Sequence, residues 1–371
     1  MRDTMGIIVT QDDKIPPITD KRSVIALPVA GSYRIVDFVL SNMANSGITN
    51  IGVVTETNYS SLMDHLKSGS PWDLDRKNQG LNILPPNLAT FDYGKNRGDL
   101  DRLAGVRDFL RRSNQTYVIL SLGTHVNNMN FEEILEKHLE NQSDITVIYK
   151  NMKGATEKEL SRYTLLDFDS DMRVIDIEAK PQYPKTANAS LDIYIMEKAL
   201  LESIVDECSS RGDHDFVKDA ISKKLNGIII TGYEYKGYTE KVDSLKSYFE
   251  NNMAFLDENK RQELFNLDNP IYTKNKDLSP TSYAQNATVE NSLISNGCII
   301  EGTVKNSILS RGVVVKKGAV IENSIIMQDS VIEENCILNY VIFDKEVTIS
   351  KGKKLIGQDT YPVAFSKGSE I

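Results

Sequence analysis

A short pattern that recurs four times near the end of the chain constrains the fold more than any other feature. Its copies are VENSLI at 289–294, VKNSIL at 304–309, IENSII at 321–326 and CILNYVIF at 336–343. The asparagines of these copies are spaced 15–17 residues apart; they are Asn291, Asn306, Asn323 and Asn339. Even spacing, abundant Ile and Val, and glycines at the turns are typical of a β-solenoid, whose rungs stack apolar side chains inward.

An ordinary β-sandwich is the alternative for this region, and the even spacing favours the solenoid. Solenoids of this kind expose flat faces that often mediate assembly, so we expect an oligomer.

The earlier part of the chain has a different rhythm. Up to about residue 255, short apolar runs alternate with helical patterns, as in Gly6–Val9, Val36–Ala44 and Ile51–Thr55. This alternation predicts an α/β domain with a mostly parallel sheet covered on both faces. A chain of 371 residues also exceeds the usual size of a single core. We therefore predict one domain at 1–255, a connector at 256–283 and the solenoid at 284–371.

Composition and charge exclude several classes of function. A formal net charge of −9 argues against a nucleic-acid surface, which needs clustered Lys and Arg. Three cysteines form no spaced pair and four histidines lie far apart, so neither a disulfide framework nor a zinc or His-based metal site is expected. Apolar runs of 18 residues and a signal segment are missing from the sequence, which favours a cytoplasmic protein without a membrane partner.

The turn after the first predicted strand is unusual for a nucleotide-binding α/β domain. Such turns normally carry glycines, so that backbone N–H groups can close on phosphates. Here the turn is Thr10-Gln11-Asp12-Asp13-Lys14, with two adjacent carboxylates and no glycine. Two unit charges 4 Å apart interact by about 4 kcal/mol at an effective dielectric constant near 20. Two carboxylates would therefore disfavour a bound triphosphate by several kcal/mol, and one lysine cannot offset that.

Three longer segments carry a family resemblance. They are GSYRIVDFVLSNMANSGITNIGVVTE (31–56), GSPWDLDRKNQGLNILPP (69–86) and AKPQYPKTANASLDIYIM (179–196). They resemble glucose-1-phosphate adenylyltransferases (ADP-glucose pyrophosphorylases). The resemblance covers the whole chain and implies a nucleotidyltransferase-like (Rossmann-like) domain followed by a left-handed β-helix. It also implies Mg²⁺-assisted joining of glucose 1-phosphate to ATP with release of pyrophosphate. Alternatively, the first segment persists because Tyr33, Ile35, Phe38 and Leu40 pack a helix start against the sheet.

On the nucleotide side, the resemblance places family contacts at Gln11, Lys14 and Trp72. The three glycines of the family loop fall on Val9, Thr10 and Asp12, and Lys14 takes the place of an arginine. Val24 stands where the next family motif has a lysine. Trp72, the single tryptophan, lies in the segment over the adenine side of the family pocket, although it could simply fill a lid. We interpret Gln11, Lys14 and Trp72 as vestiges of a nucleotide site.

The resemblance also locates the two aspartates that hold Mg²⁺ in the family. Thr124 occupies the first position and Lys241 the second. A neutral hydroxyl and an ammonium group cannot hold Mg²⁺, which prefers anionic oxygen ligands. Asp243, two residues further on, could compensate only in a shifted register. We therefore expect no bound metal and no catalytic residues in this chain.

The sugar pocket of the family is half present. Lys180 matches a phosphate-contacting lysine, Ser190 a sugar-facing serine and Lys218 the lysine of a further family motif. Asp192 stands where the family has a glycine that lets the sugar approach. We interpret Lys180, Ser190, Lys218 and Lys241 as a vestigial sugar-phosphate site. Further departures from the family pattern occur at Ala179, Val217, Asp99 and Arg102.

Three hypotheses follow from this pattern of losses on a preserved scaffold. The leading one is a non-catalytic regulatory subunit that joins a catalytic glucose-1-phosphate adenylyltransferase subunit in a heterotetramer for glycogen synthesis, with Mg²⁺ bound only by that partner. The second is an active nucleotidyltransferase with a rearranged Mg²⁺ site at Asp12, Asp13 or Asp243. The third is a metal-free sensor of a sugar-phosphate or phosphate effector, held by Lys180, Lys218 and Lys241.

Overall fold

The computed structural model describes residues 1, 3–10, 13–55, 58–85 and 98–371. Its N-terminal region is an α/β domain. The strands are β1 (Thr4–Val9), β2 (Pro28–Val29), β3 (Tyr33–Arg34), β4 (Asn50–Val54), β5 (Gly80–Leu84), β6 (Tyr117–Ser121), β7 (His125–Asn127), β8 (Ile145–Asn151), β9 (Thr164–Phe168), β10 (Val174–Ala179), β11 (Asn188–Glu197), β12 (Ile230–Glu234) and β13 (Thr239–Lys241).

Helices connect these strands. They are α1 (Ile35–Asn45), α2 (Ser60–Leu66), α3 (Asp99–Gly105), α4 (Arg107–Arg112), α5 (Phe131–Glu140), α6 (Glu157–Leu160), α7 (Lys198–Arg211), α8 (Ser222–Lys224), α9 (Leu245–Ala254) and α10 (Glu258–Leu264), with 3₁₀ turns at Val24–Ala26 and Ser70–Trp72 and a π-helix at Phe216–Ile221. Among the residues described, no helix is both long enough and apolar enough to span a bilayer.

The centre of the main sheet is parallel, as predicted. Strands β6, β1, β4 and β5 lie side by side in that order, all parallel. Antiparallel β11 then joins β6 to β8 and to the hairpin formed by β9 and β10. Every residue of β1 is buried, because Ile7 and Val9 pack into one hydrophobic cluster and Ile8 into another on the opposite face.

The sequence pattern predicts single helices at 100–112 and at 215–225, and the structure differs from both predictions. The predicted helix at 100–112 is divided into α3 and α4, which meet at Val106; Gly105, a poor helix former, ends the first of them. The predicted helix at 215–225 begins as a π-helix. Ser222, the first residue after the π-helix, donates from its hydroxyl to the carbonyl of Val217, five residues earlier.

The C-terminal region is a parallel β-helix, which confirms the predicted solenoid. Each turn contributes one strand to each of three five-stranded sheets. The strands are β14 (Ser282–Tyr283), β15 (Thr288–Glu290), β16 (Leu293–Ile294), β17 (Ile299–Ile300), β18 (Thr303–Lys305), β19 (Ile308–Leu309), β20 (Val314–Val315), β21 (Val320–Glu322), β22 (Ile325–Ile326), β23 (Val331–Ile332), β24 (Ile337–Asn339), β25 (Val341–Phe343), β26 (Thr348–Ile349), β27 (Lys354–Ile356) and β28 (Val363–Phe365). One residue of each central rung, such as Val304, Ile321 and Leu338, points into the core.

Three of the four repeat asparagines have the same structural role, and the fourth does not. Asn291, Asn306 and Asn323 each follow a strand with φ between 40° and 45°, a left-handed conformation that asparagine tolerates better than most residues. In the fourth copy Tyr340 occupies this corner, with φ 53°, and Asn339 belongs to β24. In the fourth copy the corner therefore lies one residue after the asparagine of the repeat.

The two domains share a hydrophobic core and a buried ion pair. Residues of the α/β domain such as Phe38 and Tyr248 pack with Ile342 of the β-helix. Beside them Arg22 donates to the Asp344 carboxylate at 2.7 Å, with both side chains 3% exposed. The segment that follows the altered turn is thus anchored directly to the β-helix.

Candidate functional site

Thr124 and Lys241 lie together on a small antiparallel ladder formed by β7 and β13. Lys241 pairs with His125, the residue after Thr124. The Thr124 hydroxyl donates to the carbonyl of Val242 at 2.6 Å, and the Val242 N–H donates to the carbonyl of Thr124 at 3.1 Å. The threonine side chain is therefore used to hold the two segments together.

The Lys241 side chain is buried and has its own counter-ion. It is 4% exposed, and its ammonium lies 3.3 Å from Asp192 Oδ2. The same ammonium donates to the carbonyl of Arg162 at 3.3 Å and lies 5.2 Å from the centre of the Tyr163 ring. Asp192 adopts the left-handed region with φ 55°, in line with the glycine that the resemblance implies there. Lys241 and Asp192, hereafter the internal ion pair, thus occupy the implied metal and sugar positions together.

Asp243, the alternative metal ligand, is engaged by an arginine. Arg162 donates to its two carboxylate oxygens at 2.6 and 3.0 Å, and the Ser247 hydroxyl donates at 3.1 Å. Burial raises the pKa of Asp243, but hydrogen bonds and charge from Arg162 outweigh burial, so the pKa is lowered overall. Asp243 is ionised and already neutralised by Arg162.

His125 lies next to the internal ion pair and is 6% exposed. Neither of its ring nitrogens has a hydrogen-bond partner among the described residues. Burial, followed by the positive charge of Lys241, lowers the pKa of His125 to about 3. The ring is therefore neutral near pH 7.

These residues do not fit Mg²⁺, the ion that the family resemblance implies. Magnesium requires anionic or water oxygens in near-octahedral geometry. Lys241 is a cation, the Thr124 hydroxyl donates to a carbonyl, and both Asp192 and Asp243 are paired with basic side chains. Over the described ranges, no group of three or more His, Cys, Asp or Glu side chains is arranged to hold a metal ion.

The other predicted sugar-phosphate residues, Ser190, Lys218 and Lys180, differ in burial and in partners. Ser190 is fully buried, and its hydroxyl accepts a hydrogen bond from the Asp192 N–H at 3.0 Å. Lys218 is 61% exposed and lies 3.7 Å from Asp215. Lys180 is exposed, on a residue with φ 50°. Ser190 thus supports the internal ion pair, whereas the two other lysines remain at the surface.

Of the predicted nucleotide residues, Lys14 and Trp72 are among those that the structure describes. Gln11 and Asp12 lie outside the described residues, and Lys14 is exposed. Trp72 is 3% exposed in the core beneath α1, and its indole N–H donates to Ser41 Oγ at 3.1 Å. The indole is therefore used for packing and leaves no open face for a base. Arg102, a departure from the family pattern, donates to the carbonyl of Thr10 at the start of the altered turn.

A second site, which the sequence did not reveal, lies where the two domains meet. It is lined by the basic residues Arg34, Lys274, Lys276, Arg311 and Lys345, together with Asp64, His65 and neutral neighbours. We call it the junction pocket. Its residues come from the start of α1, from α2, from the connector and from successive turns of the β-helix, so no linear motif marks it.

Within the described part of the chain, most cations of the junction pocket lack a carboxylate partner. Lys274 pairs with Asp64 at 3.1 Å. Arg34 donates to Ser61, Lys276 to Gln328 and Arg311 to a backbone carbonyl. Burial lowers the pKa of Arg34 to about 10 and also lowers the pKa of Arg311, as expected where positive charge is withdrawn from water.

A hydrogen-bonded carboxylate fixes the wall of this pocket. Asp37 Oδ1 lies 2.5 Å from His65 Nε2, while Asp37 Oδ2 accepts from the Arg34 N–H at 2.9 Å and from the Thr273 hydroxyl at 2.6 Å. This buried network ties α1, α2 and the connector together, so the cations are presented from a rigid frame.

Comparison with known proteins gives consistent results for both halves of the chain. Residues 12–258 match the family model for nucleotidyl transferases, and residues 278–362 match a GlmU-like C-terminal hexapeptide model. The hexapeptide match agrees with the predicted left-handed β-helix.

Full-length relatives extend these matches. The chain is 34% identical over 366 residues to the glycogen biosynthesis protein GlgD of Bacillus subtilis (strain 168), covering 98% of this chain and 96% of that protein. It is 33% identical to a glucose-1-phosphate adenylyltransferase of Geobacillus stearothermophilus, covering 84% of this chain and 80% of that enzyme. A third relative, the glucose-1-phosphate adenylyltransferase of Bacillus mycoides (strain KBAB4), is 32% identical, with 91% of this chain and 90% of that enzyme covered.

Proposed function

The chain belongs to the glucose-1-phosphate adenylyltransferase family of nucleotidyl transferases, and from this premise we propose that it is a non-catalytic regulatory subunit. Its relatives support the coarser role, that of a nucleotidyltransferase-family protein linked to glycogen synthesis. In the proposal, the chain joins a catalytic glucose-1-phosphate adenylyltransferase in a heterotetramer and modulates its synthesis of ADP-glucose. Mg²⁺ and both substrates are bound by the catalytic partner.

The internal ion pair is the observation that carries this proposal. Phosphoryl transfer needs groups that position two anions and neutralise the charge that develops between them. Here a lysine ammonium and an aspartate carboxylate, 3.3 Å apart and buried, neutralise each other instead. A sugar phosphate or a metal ion could enter only by breaking this pair, which would leave one charge buried without a partner.

An active enzyme with a rearranged Mg²⁺ site is less well supported. Asp243, an alternative ligand that lies beside the internal ion pair, is held by Arg162 in two hydrogen bonds. Freeing that carboxylate would leave the guanidinium, which is about one third exposed, without its counter-ion. Asp13 lies on the altered turn, and Asp12 is outside the described residues.

A regulatory subunit acts by contacting two states of its partner unequally. Coupling free energies of this kind are about 1–3 kcal/mol, which corresponds to about fivefold to 150-fold in an equilibrium constant. We therefore expect co-expression with a catalytic homologue to give a complex that co-elutes with both chains. In that complex the homologue should differ several-fold in substrate saturation or rate from the homologue alone. Separate elution with unchanged kinetics would refute the proposal.

The junction pocket supports a second part of the proposal, the binding of a sugar-phosphate or phosphate effector. Five basic side chains and one carboxylate line the pocket, although the whole chain carries a net charge of −9. Arginine guanidinium groups and lysine ammonium groups without carboxylate partners are the usual ligands of phosphate oxygens. The pocket lies between the domains, so an anion there would cross-link them.

Calorimetry with glucose 1-phosphate and fructose 1,6-bisphosphate tests this effector site. Arg311→Gln should abolish the binding heat, because it removes a cation of the pocket. Lys218→Ala should leave it unchanged, because Lys218 lies on the surface of the α/β domain. If Lys218→Ala abolished the heat and Arg311→Gln did not, the effector would bind at the lysines predicted from the sequence. The absence of heat with either ligand would exclude both as effectors.

A further inference from the structure

The ammonium group of one lysine in the junction pocket, Lys345, has neither a hydrogen-bond acceptor nor a carboxylate partner in the described part of the chain. Lys345 follows Asp344, whose carboxylate is already bound to Arg22 at 2.7 Å and accepts the Lys345 N–H. Among the described residues, none offers the Lys345 ammonium a hydrogen bond or a carboxylate within 4 Å. Lys345 is half-buried and lines the pocket together with residues of the α/β domain.

From this arrangement, and resting on the proposed effector site, we propose that an anion bound in the junction pocket is accompanied by a proton, which Lys345 takes up. Without a ligand, an ammonium at this place is withdrawn from water and faces other cations. A bound dianion supplies the missing negative charge, so that the protonated form becomes favourable. Binding the anion and binding the proton are therefore one linked event.

The electrostatics of the pocket support this linkage. Burial, followed by repulsion from Arg34 and Arg22, lowers the pKa of Lys345 to about 7, compared with about 10.4 for a free lysine. Asp344 acts in the opposite direction, but it is committed to Arg22. In the free protein Lys345 is thus partly neutral at pH 7 and mostly neutral at pH 8.5.

Other titratable and charged groups face Lys345 from every neighbouring element. Burial lowers the pKa of His65 and raises that of Tyr33, so both are neutral near pH 7, while hydrogen bonding and charge from Lys274 outweigh burial and lower the pKa of Asp64. The remaining charged groups facing the site are Arg22, Arg34, Asp37, Lys274, Lys276, Arg311, Asp344, and the Glu346–Lys367 pair beside Lys345. Lys276 has a pKa lowered by burial but hydrogen-bonds Gln328.

Sulfate is a suitable probe because it remains a dianion throughout this pH range. We expect sulfate affinity to weaken by up to about tenfold per pH unit above pH 7, the slope for one linked proton. Calorimetry at pH 8.5 in buffers of different ionisation enthalpy should give an uptake of close to one proton per sulfate bound. At pH 6 the uptake should approach zero, because Lys345 is then already charged.

The variant Lys345→Arg tests whether Lys345 is the group that takes up the proton. Arginine stays protonated at all these pH values, so the variant should bind sulfate without proton uptake and with nearly constant affinity from pH 6 to 8.5. Lys367→Arg is the matched control: it makes the same exchange at a lysine paired with Glu346 and should behave like wild type. Lys345→Gln provides a second test if the larger guanidinium disturbs folding; it should lose both the proton uptake and the tight binding at pH 6.

The experiment distinguishes an error about proton uptake by Lys345 from an error about anion binding in the junction pocket. If wild type binds sulfate with equal affinity at pH 6 and 8.5 and takes up no proton, or if Lys345→Arg retains the uptake, the inference about Lys345 is wrong and the effector site stands. If sulfate gives no binding heat at any pH, or binds equally well to Arg311→Gln, the pocket is not an anion site and the linkage is excluded with it.

Discussion

At the scale of single residues, the internal ion pair links two departures from the family pattern. Lys241 and Asp192 each depart from the family pattern, and each substitution alone would bury an uncompensated charge in this domain. Together they satisfy one another at 3.3 Å, with support from the carbonyl of Arg162 and the ring of Tyr163. The two changes are therefore interdependent.

Asp192→Asn should be strongly destabilising, because it leaves the Lys241 ammonium buried without a counter-ion. Breaking a buried pair from one side costs about 3–5 kcal/mol. Lys241→Met combined with Asp192→Asn should cost clearly less than the sum of the two single changes, as measured by urea unfolding. Lys246→Ala is the control: it breaks an exposed pair with Glu250 and should change stability by under about 0.5 kcal/mol. Strict additivity of the two core substitutions would contradict the pairing.

His125 should contribute to acid sensitivity. Its folded-state pKa of about 3 lies below the unfolded value of about 6.5, so the unfolded chain binds a proton that the folded chain does not. Stability should therefore fall as the pH drops from about 6.5 towards 3. His125→Phe should flatten this part of the curve without loss of stability at pH 7, because both ring nitrogens lack partners. If the stability of the wild type and that of His125→Phe changed with equal slope between pH 6.5 and 4, this account would be contradicted.

At the scale of elements, the β-helix is the part that its sequence specifies most directly. The second and third copies of the repeat make the same choices: an inward aliphatic residue, a corner asparagine in the left-handed region and a buried serine beside it. The buried hydroxyls of Ser307 and Ser324 accept the N–H groups of Ser324 and Val341 on the next rung. The periodicity of the sequence therefore agrees with the packing of the β-helix, and the repeat is sufficient to predict this fold from the sequence.

Substitution at a rung corner should reveal the energetic value of these asparagines. Asn323→Ala should lower stability by about 1–2 kcal/mol, because alanine disfavours the left-handed conformation seen at this residue, where φ is 45°. It also removes the hydrogen bond from Asn323 to Asn339. Thermal unfolding measures the change, and Asn114→Ala, at an exposed loop position, should be neutral. An unchanged midpoint for Asn323→Ala would mean that the corner tolerates any residue.

The sequence predicted less of the α/β domain and least of its sites. Buried strands such as β1 were recognised from continuous apolar residues, whereas the β9–β10 hairpin alternates irregularly and was not. The partner of Lys241 could have been anticipated, because opposite charges replace two family residues at once. The junction pocket could not, since its cations come from segments as distant as Arg34 and Lys345 and only the fold brings them together.

At the scale of the whole molecule, the structure combines the family scaffold with an internal ion pair at the implied metal and sugar positions. The Arg22–Asp344 pair and the shared core join the segment after the altered turn to the β-helix. Under the proposed function, binding at the domain interface reaches the region of the internal ion pair and, in an assembly, a partner. This is the arrangement expected of a subunit that works through its neighbours rather than through its own chemistry.

Release of pyrophosphate by the purified chain alone, supplied with ATP, glucose 1-phosphate and Mg²⁺, tests the central claim most directly. The account predicts no Mg²⁺-dependent product above the background, while a catalytic homologue assayed in parallel turns over normally. Steady Mg²⁺-dependent formation of ADP-glucose by the isolated chain, abolished by Asp243→Asn or by Asp12→Asn with Asp13→Asn, would contradict it and identify an active enzyme with a rearranged metal site.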